Sequence, residues 1–254
     1  MIKAPYCRQG NKTPILKDIM RYIPVHDVYV EPFVGSAVVF FNLPKAKMSV
    51  LNDLDDNVYN ILKLIKRAPL EINKYRSDLI TVPKIKEFYN KKHHTVADML
   101  LYYKIIFCSG FNGTPVRQEK NIYNSPNPAK ILDNLKYYKS MLKGVKITNS
   151  DYIDIILKYD SPNTFFFLDP PYENTSKDFY SNNLMDFNKM VEVLKSIKGM
   201  FLVTINDSPY IRKIFKGFKI VPIDVPTSWR DKYGNHQIRK ELFIMNYTIS
   251  GRDP

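Results

Sequence analysis

The sequence predicts an α/β protein in which a sheet with crossover helices is interrupted by a helical insertion. Short apolar runs alternate with helical patterns along most of the 254 residues. Two of these runs, TFFFL at 164–168 and MFLVTI at 200–205, are almost continuously apolar, which is typical of strands buried on both faces. Between about 70 and 144 the alternation stops and helical patterns follow one another. The alternation therefore predicts a sheet domain, and its interruption predicts a second, helical part.

Seven apolar runs are predicted strands, and six segments around them carry helical patterns. The predicted strands are 28–33, 48–51, 145–148, 164–168, 200–205, 218–223 and 241–247. The predicted helices are 13–23, 36–43, 55–66, 151–158, 186–197 and 208–215.

The interrupting segment, 70–144, predicts four helices around a long polar loop. The helices are expected at about 71–79, 83–92, 95–107 and 129–142, and the loop at 110–128 is rich in Asn, Pro and Gly. Loops longer than about 12–15 residues are usually functional or disordered. We therefore expect residues 1–69 and 145–254 to form the main domain, and 70–144 to form a recognition subdomain.

The net charge of +13 favours a polyanionic partner, with nucleic acid ahead of an anionic membrane surface. A solvated, lysine-rich surface would give the same charge. No apolar run approaches the roughly 20 residues of a membrane-spanning helix, and the first residues lack the apolar region of a secretory leader. With only Cys7 and Cys108, we expect a cytoplasmic protein with reduced thiols, no membrane association and no metal site.

The tetrapeptide Asp169-Pro170-Pro171-Tyr172 follows a predicted buried strand directly. Open α/β sheets bind ligands beyond the carboxyl ends of their strands, so this tetrapeptide stands where a site is expected. Two prolines make a stiff turn, which holds the flanking carboxylate and carbonyl rigidly. Those acceptors suit an amine whose two hydrogens must be held, and Tyr172 offers a ring on which a base can stack. A polar turn after a buried strand is the alternative.

A turn of small residues, Gly35-Ser36-Ala37, follows the first predicted strand and precedes a predicted helix. Such residues let the backbone approach a ligand closely near a helix N-terminus. A tight strand–helix turn without a ligand would have the same composition.

Two acidic residues, Asp53 and Asp55, follow the second predicted strand. Asp53 comes 18 positions after Gly35, close to the spacing at which nucleotide-binding α/β folds place a ribose-binding acid. Either aspartate could instead cap the helix that follows. Asp55 is the better cap candidate, which leaves Asp53 for a ribose.

Taken together and in order, these motifs resemble those of the alpha-group, or Dam-type, DNA adenine methyltransferases. The resemblance rests on RQGNK at 8–12, EPFVGSAVVF at 31–40, NDLD at 52–55, the FNG that ends at Gly113, NSDY at 149–152, DPPY at 169–172 and ELFIMNY at 241–247. The first of these motifs is similar to the T-even phage version.

The resemblance implies a Rossmann-like, mixed seven-stranded sheet with a helical target-recognition domain, and S-adenosylmethionine as cofactor. It implies that Asp169, Pro170 and Tyr172 hold the target adenine, flipped out of duplex DNA. It implies a cofactor site formed by Tyr6, Arg8, Lys12, Glu31, Phe33, Gly35, Ser36, Ala37, Asp53, Leu54, Asp151, Tyr152 and Asp169.

DNA contacts are expected from polar and basic residues of the insertion and of a loop near the last two predicted strands, which are Asn112, Arg117, Lys120, Arg230, Lys232 and Arg239. The segment after FNG has no counterpart of the family's recognition hairpin, so we expect a site other than a strict GATC. We expect a monomer, with a restriction endonuclease as candidate partner. An RNA adenine methyltransferase and a catalytically silent nucleic-acid-binding module are the alternatives.

Overall fold

The computed structural model describes residues 1–6, 8, 10–70, 83, 87, 98, 133–172, 185–230 and 236–249, with backbone alone at 227–230 and 236. Its seven strands form one sheet in the order β3-β2-β1-β4-β5-β7-β6. The strands are β1 Val28–Glu31, β2 Met48–Asn52, β3 Lys146–Thr148, β4 Thr164–Leu168, β5 Met200–Asn206, β6 Lys219–Arg230 and β7 His236–Met245. The β2–β1–β4–β5 pairs are parallel, and β7 runs antiparallel between β5 and β6. The predicted Rossmann-like mixed sheet is confirmed.

Six α-helices are described, and each lies inside or next to a helix that the sequence predicts. They are α1 Leu16–Tyr22, α2 Asp56–Arg67, α3 Leu135–Leu142, α4 Tyr152–Tyr159, α5 Phe187–Ser196 and α6 Pro209–Ile214. A 3₁₀ turn, Thr13–Ile15, precedes α1. The helices predicted at 71–79, 83–92 and 95–107 and the loop at 110–128 lie outside the described residues, apart from Pro83, Glu87 and Asp98.

The helix predicted at 36–43 is wrong. Gly35 and Ala37 have φ angles of +46° and +56°, which lie in the left-handed region and are incompatible with a right-handed α-helix. The chain therefore passes through turns and forms only a short 3₁₀ helix at Phe40–Asn42. The break therefore comes from the backbone angles at Gly35 and Ala37, within the same turn whose small side chains predict close backbone approach.

The last two strands are longer than predicted, because pairing of β6 with β7 continues beyond the end of β5. The β5–β7 ladder ends where Asn206 faces Glu241, whereas β6 and β7 stay paired as far as Arg230 and His236. The added residues are mostly polar or exposed, so a search for apolar runs does not detect them.

The chain divides into two compact units. The first comprises Met1–Thr13, Gly35–Leu43 and Asp55–Ile147. In it α2 packs on α3, and the ring of Phe41 meets that of Tyr138 edge to face with centroids 4.8 Å apart. Four apolar residues at helical spacing along α2, Val58, Ile61, Leu62 and Ile65, are fully buried.

The second unit comprises Pro14–Val34, Pro44–Leu54 and Thr148–Pro254. Its core lies between the sheet and helices α4, α5 and α6, and it contains the buried side chains of Val30, Phe166, Met190, Phe201 and Ile244. All five residues of β4 are buried, as the run TFFFL predicts. Burial on both faces holds β4 rigidly, and with it the residues that follow at its carboxyl end.

No helix in the described part of the chain is both long and apolar enough to cross a membrane.

Candidate active site

Polar side chains collect at the carboxyl-end edge of the parallel strands in the second unit. β1 ends at Glu31, β2 at Asn52 and β5 at Asn206, and Asp169 follows β4 directly. Glu31 and Asn52 are almost fully buried, with exposures of 2% and 1%. Ligands of open α/β sheets bind at this edge, so the strands themselves bring the predicted site residues of this unit to one side of the sheet.

Asp169 is oriented by a residue of the neighbouring strand. The hydroxyl of Thr204, which is fully buried in β5, donates a hydrogen bond of 2.9 Å to Asp169 Oδ1. The same hydroxyl lies 3.5 Å from the carbonyl oxygen of Leu168. A buried hydroxyl on a central strand moves little, so it restricts the direction in which the carboxylate faces.

Tyr172 lies beside β7, where it meets a charged pair. The guanidinium carbon of Arg239 is 5.5 Å from the centroid of the Tyr172 ring. Arg239 also forms an ion pair with Glu241, through Nη2 and Oε1. The carboxylate of Glu241 is completely buried, while the side chain of Arg239 is 46% exposed.

The pKa of the Tyr172 phenol is raised well above its usual value. Burial is the main cause, and the negative charges of Asp169 and Glu241 act in the same direction. Arg239 opposes the shift. The phenol therefore stays protonated beyond the pH at which an exposed tyrosine ionises.

Glu31 has a partner on its own strand. The hydroxyl of Tyr29 donates a hydrogen bond of 2.9 Å to Glu31 Oε2. The two residues are two positions apart on β1, so they share one face of the sheet. Burial, followed by the charge of Glu31, raises the pKa of Tyr29. The neutral hydroxyl is therefore available to fix one oxygen of the carboxylate.

Asn52 connects the ends of three strands. Its amide nitrogen donates to the carbonyl oxygens of Pro32 at 3.0 Å and Ser150 at 2.9 Å. Its amide oxygen accepts from the hydroxyl of Thr148 at 2.8 Å and from the backbone of Ser150 at 3.0 Å. The segments after β1 and β3 are thus held against the end of β2, which carries Asp53.

Asp53 and Leu54 follow β2 at this edge. The side chain of Leu54 is 63% exposed. The side-chain amide of Asn149 donates to the backbone carbonyls of Asp53 and Leu54, at 2.9 and 3.1 Å. The turn therefore presents an apolar side chain next to a carboxylate, a combination that suits the adenine and ribose of a nucleoside.

Phe33 and Tyr152 stand after β1 and at the start of α4. Their ring centroids are 5.1 Å apart, and both rings are partly buried. Asp151 precedes Tyr152 and caps α4, because its carboxylate accepts from the backbone of Ile153 at 2.8 Å. Both predicted residues of the NSDY motif are thus at the carboxyl-end edge, and Asp151 also has a structural role.

In the first unit, Asp55 caps α2, as the sequence predicts. Its carboxylate accepts from the backbone of Asn57 at 2.8 Å and forms an ion pair of 2.9 Å with Arg8.

The hydroxyl of Tyr6 donates to the carbonyl oxygen of Gly35. The ammonium of Lys12, only 4% exposed, donates to the carbonyl oxygen of Gly10. These contacts fix the N-terminal motif and the glycine turn within this unit; Ser36 and Ala37 are buried there as well.

Most of the predicted DNA-contacting residues lie outside the described part of the chain. This applies to Asn112, Arg117, Lys120 and Lys232, and of Arg230 the structure describes the backbone alone, at the end of β6. Arg239 is described, and it lies against Tyr172 and Glu241.

The sequence motifs assign no role to three residues of this site, which are Asn52, Thr204 and Glu241. Each stands within or at the end of a run of apolar strand residues, and each is at most 1% exposed. A polar residue within a buried strand is the informative exception to the rule that strand interiors are apolar, and this signal could have found all three.

Comparisons with known proteins identify a family and several relatives of this chain. A family model described as D12 class N6 adenine-specific DNA methyltransferase matches residues 9–228. The type II methyltransferase M.MjaIII of Methanocaldococcus jannaschii is 28% identical, over 94% of this chain and 96% of its own. The type II methyltransferase M.CviBI of Paramecium bursaria Chlorella virus NC1A is 24% identical, over 88% of each chain. A DNA adenine methylase of Vibrio cholerae is 23% identical, over 96% of each.

Proposed function

We propose, from the premise that this chain belongs to the D12 class N6 adenine-specific DNA methyltransferase family, that Asp169, Pro170 and Tyr172 hold the adenine during methyl transfer. The chain is an adenine-specific DNA methyltransferase that uses S-adenosylmethionine. The observation that carries the assignment of residues is the orientation of Asp169 by Thr204, at the end of a fully buried strand.

Asp169 and Pro170 would act on the amino group of the base. The lone pair of that nitrogen is delocalised into the ring, which makes it a poor nucleophile. One hydrogen bond to the Asp169 carboxylate and one to the Pro170 carbonyl favour a tetrahedral nitrogen and localise the lone pair. Because Thr204 holds Oδ1 of Asp169, the carboxylate keeps its direction as the charge develops on the amino group.

Tyr172 would stack on the adenine once the base has left the duplex. An amino group inside the helix cannot reach a cofactor in a protein site, so the target base must be flipped out. Stacking on an aromatic ring is worth about 1–3 kcal/mol per base, which compensates part of the cost of unstacking.

The residues at the edge of the second unit fit S-adenosylmethionine chemically. The exposed Leu54 offers an apolar surface for an adenine ring, and the neighbouring Asp53 carboxylate suits ribose hydroxyls. Phe33, Asp151 and Tyr152 stand at the same edge. The cofactor supplies a methyl group already activated on a sulfonium, so the task of the protein is positioning and electrostatics. The roles predicted for Tyr6, Arg8, Lys12, Glu31, Gly35, Ser36 and Ala37 stay predictions.

The finer assignments concern recognition and partners. We expect residues 70–144, with Asn112, Arg117 and Lys120, to read duplex DNA, and Arg230 and Lys232 to contact its phosphates. We also expect a monomeric, cytoplasmic enzyme with a restriction endonuclease as partner.

Genome-wide mapping of methylated adenines after expression would test the expected departure from GATC. Strict methylation of GATC alone would refute it.

The test of the proposed function is transfer of labelled methyl from S-adenosylmethionine to unmethylated duplex DNA, with digestion to nucleosides. Label in methyladenine is expected with the unaltered protein, and a rate lower by at least about 10²–10³-fold with Asp169→Ala. Glu192→Ala, which removes an exposed acid in the middle of α5, is the matched control and should keep full activity. Label confined to RNA or to cytosine, or normal activity of Asp169→Ala, would contradict the proposal.

A further inference from the structure

Arg239 and Glu241 stand two positions apart on β7, so their side chains emerge on the same face of the strand. The residue between them, Lys240, emerges on the other face, where it pairs with Asp224 of β6. Both partners of that second ion pair are 62% exposed. The strand therefore carries one ion pair in solvent and one at the candidate active site, in consecutive positions.

The ion pair between Arg239 and Glu241 needs an explanation, because Glu241 is completely buried. A carboxylate removed from water costs several kcal/mol unless a cation and hydrogen bonds compensate for it. A leucine or valine would fill the same strand position at no electrostatic cost, as apolar residues do at neighbouring buried positions of β7. Burying this ion pair is therefore less favourable than burying an apolar residue. The cost indicates that the pair acts on a side chain that it contacts.

The side chain in contact with the pair is the ring of Tyr172. The guanidinium carbon of Arg239 is 5.5 Å from the ring centroid, within the roughly 6 Å over which a cation is attracted to an aromatic face. Glu241 acts on both partners, because it forms the ion pair with Arg239 and its negative charge helps to raise the pKa of the Tyr172 phenol. Arg239 thus contacts both the buried carboxylate of Glu241 and the ring of Tyr172.

We propose that Arg239 and Glu241 are a positioning pair that holds the Tyr172 ring in the orientation in which it receives the flipped adenine. The inference rests on the proposed function of Tyr172. It replaces the expectation from the sequence that Arg239 contacts DNA. Arg239 acts through Tyr172, and Glu241 acts through Arg239 and the phenol.

The experiment is a double-mutant cycle between Arg239 and Tyr172. Initial rates of adenine methylation are measured for the unaltered protein, Arg239→Ala, Tyr172→Ala and the double variant, at saturating S-adenosylmethionine and saturating unmethylated plasmid DNA. We expect Arg239→Ala to lower the rate about 2- to 30-fold, the range that a cation–aromatic contact of 0.5–2 kcal/mol supplies. In the Tyr172→Ala background the same change should lower it less than about 2-fold.

Lys240→Ala is the matched control, because it removes the same charge from the adjacent residue on the outer face of β7. Its effect should be the same with and without Tyr172, because its side chain lies on the opposite face of β7. If Arg239 bound a DNA phosphate instead, Arg239→Ala would reduce the salt dependence of the apparent KM for DNA and would also act independently of Tyr172. Equal fold-losses for Arg239→Ala in both backgrounds, with a reduced salt slope, would therefore overturn the inference.

Arg239→Ala leaves a buried charge on Glu241, so the variant could fail to fold. Arg239→Gln combined with Glu241→Gln removes both charges and keeps the side-chain volumes close. Its thermal unfolding and its calorimetric affinity for S-adenosylmethionine should match those of the unaltered protein. Its methylation rate should fall, and this loss of rate should be smaller when Tyr172 is also replaced by alanine. An unaltered rate for this neutral pair would overturn the inference. Absence of adenine methylation by the unaltered protein would instead contradict the proposed function itself.

Discussion

The hydroxyl of Thr204, on β5, donates a hydrogen bond of 2.9 Å to Oδ1 of Asp169, the residue that follows β4. β4 and β5 are adjacent parallel strands in register from Phe165 opposite Met200 onward. A side chain at the end of one strand is therefore oriented by a buried side chain of the next strand. The register of the two strands thus fixes the position of the carboxylate.

Thr204→Val should lower the methylation rate roughly 10- to 150-fold and leave binding of S-adenosylmethionine unchanged. Valine has the shape of threonine but cannot donate the hydrogen bond, whose loss costs about 1.5–3 kcal/mol when the acceptor is charged. Thr204→Ser keeps the hydroxyl and should recover most of the rate. The measurement is the initial rate at saturating DNA and cofactor. Equal rates for the Val and Ser variants would show that the hydrogen bond is not used.

Asp53→Ala should weaken binding of S-adenosylmethionine roughly 10- to 150-fold, which corresponds to about 1.5–3 kcal/mol for a lost hydrogen bond to a charged group. Calorimetric titration measures this affinity. Asp55→Ala is the comparison, because Asp55 caps α2 and its removal should lower the melting temperature, with about 1 kcal/mol lost with the cap. The ribose assignment would be wrong if Asp53→Ala lowered stability and left the affinity unaltered.

Asn52→Asp should destabilise the protein by about 2–4 kcal/mol at neutral pH. The new carboxylate could no longer donate to the carbonyls of Pro32 and Ser150, and it would face both of them as a second acceptor. The difference from the unaltered protein should shrink as the pH falls, because protonation restores a donor. Urea denaturation at about pH 7 and about pH 5 provides the measurement, and a pH-independent difference would contradict the explanation.

Stability should decrease as the pH rises above about 10. Burial raises the pKa of Tyr138 and of Tyr152 to about 12, from a usual value near 10. The folded state therefore holds these phenol protons more tightly than the unfolded state does. The contribution is fully present below about pH 10 and is lost as the pH rises from about 10 towards 12. The free energy of unfolding of Tyr152→Phe should show a shallower alkaline decline than that of the unaltered protein; identical declines would contradict this.

The sequence predicts the sheet well because its strands are buried. TFFFL and MFLVTI match β4 and β5 to within one residue, and the motif residues after the strands of the second unit stand at one edge as expected. The helix at 36–43 is wrong because the left-handed φ of Ala37 is a backbone property that residue size alone does not reveal.

The partners of the site residues were harder to predict. Thr204 and Glu241 belong to strands β5 and β7, which place them 35 and 72 positions after Asp169 in the chain. Their relation to DPPY depends on strand order and register, which composition and spacing do not contain. Asp55, by contrast, was predicted correctly as a cap, because capping is a local interaction over two residues.

The insertion of β7 between β5 and β6 has a consequence for biosynthesis. A nascent chain made only as far as β6 leaves the edge of β5 open, because β6 reaches the sheet only through the strand that is translated after it. An open, apolar strand edge is prone to intermolecular pairing. Until β7 is in place, the nascent chain therefore combines an aggregation-prone sheet with a DPPY turn whose tyrosine has neither Arg239 nor Glu241 beside it. A chain that terminates before β7 should therefore be both inactive and prone to aggregation.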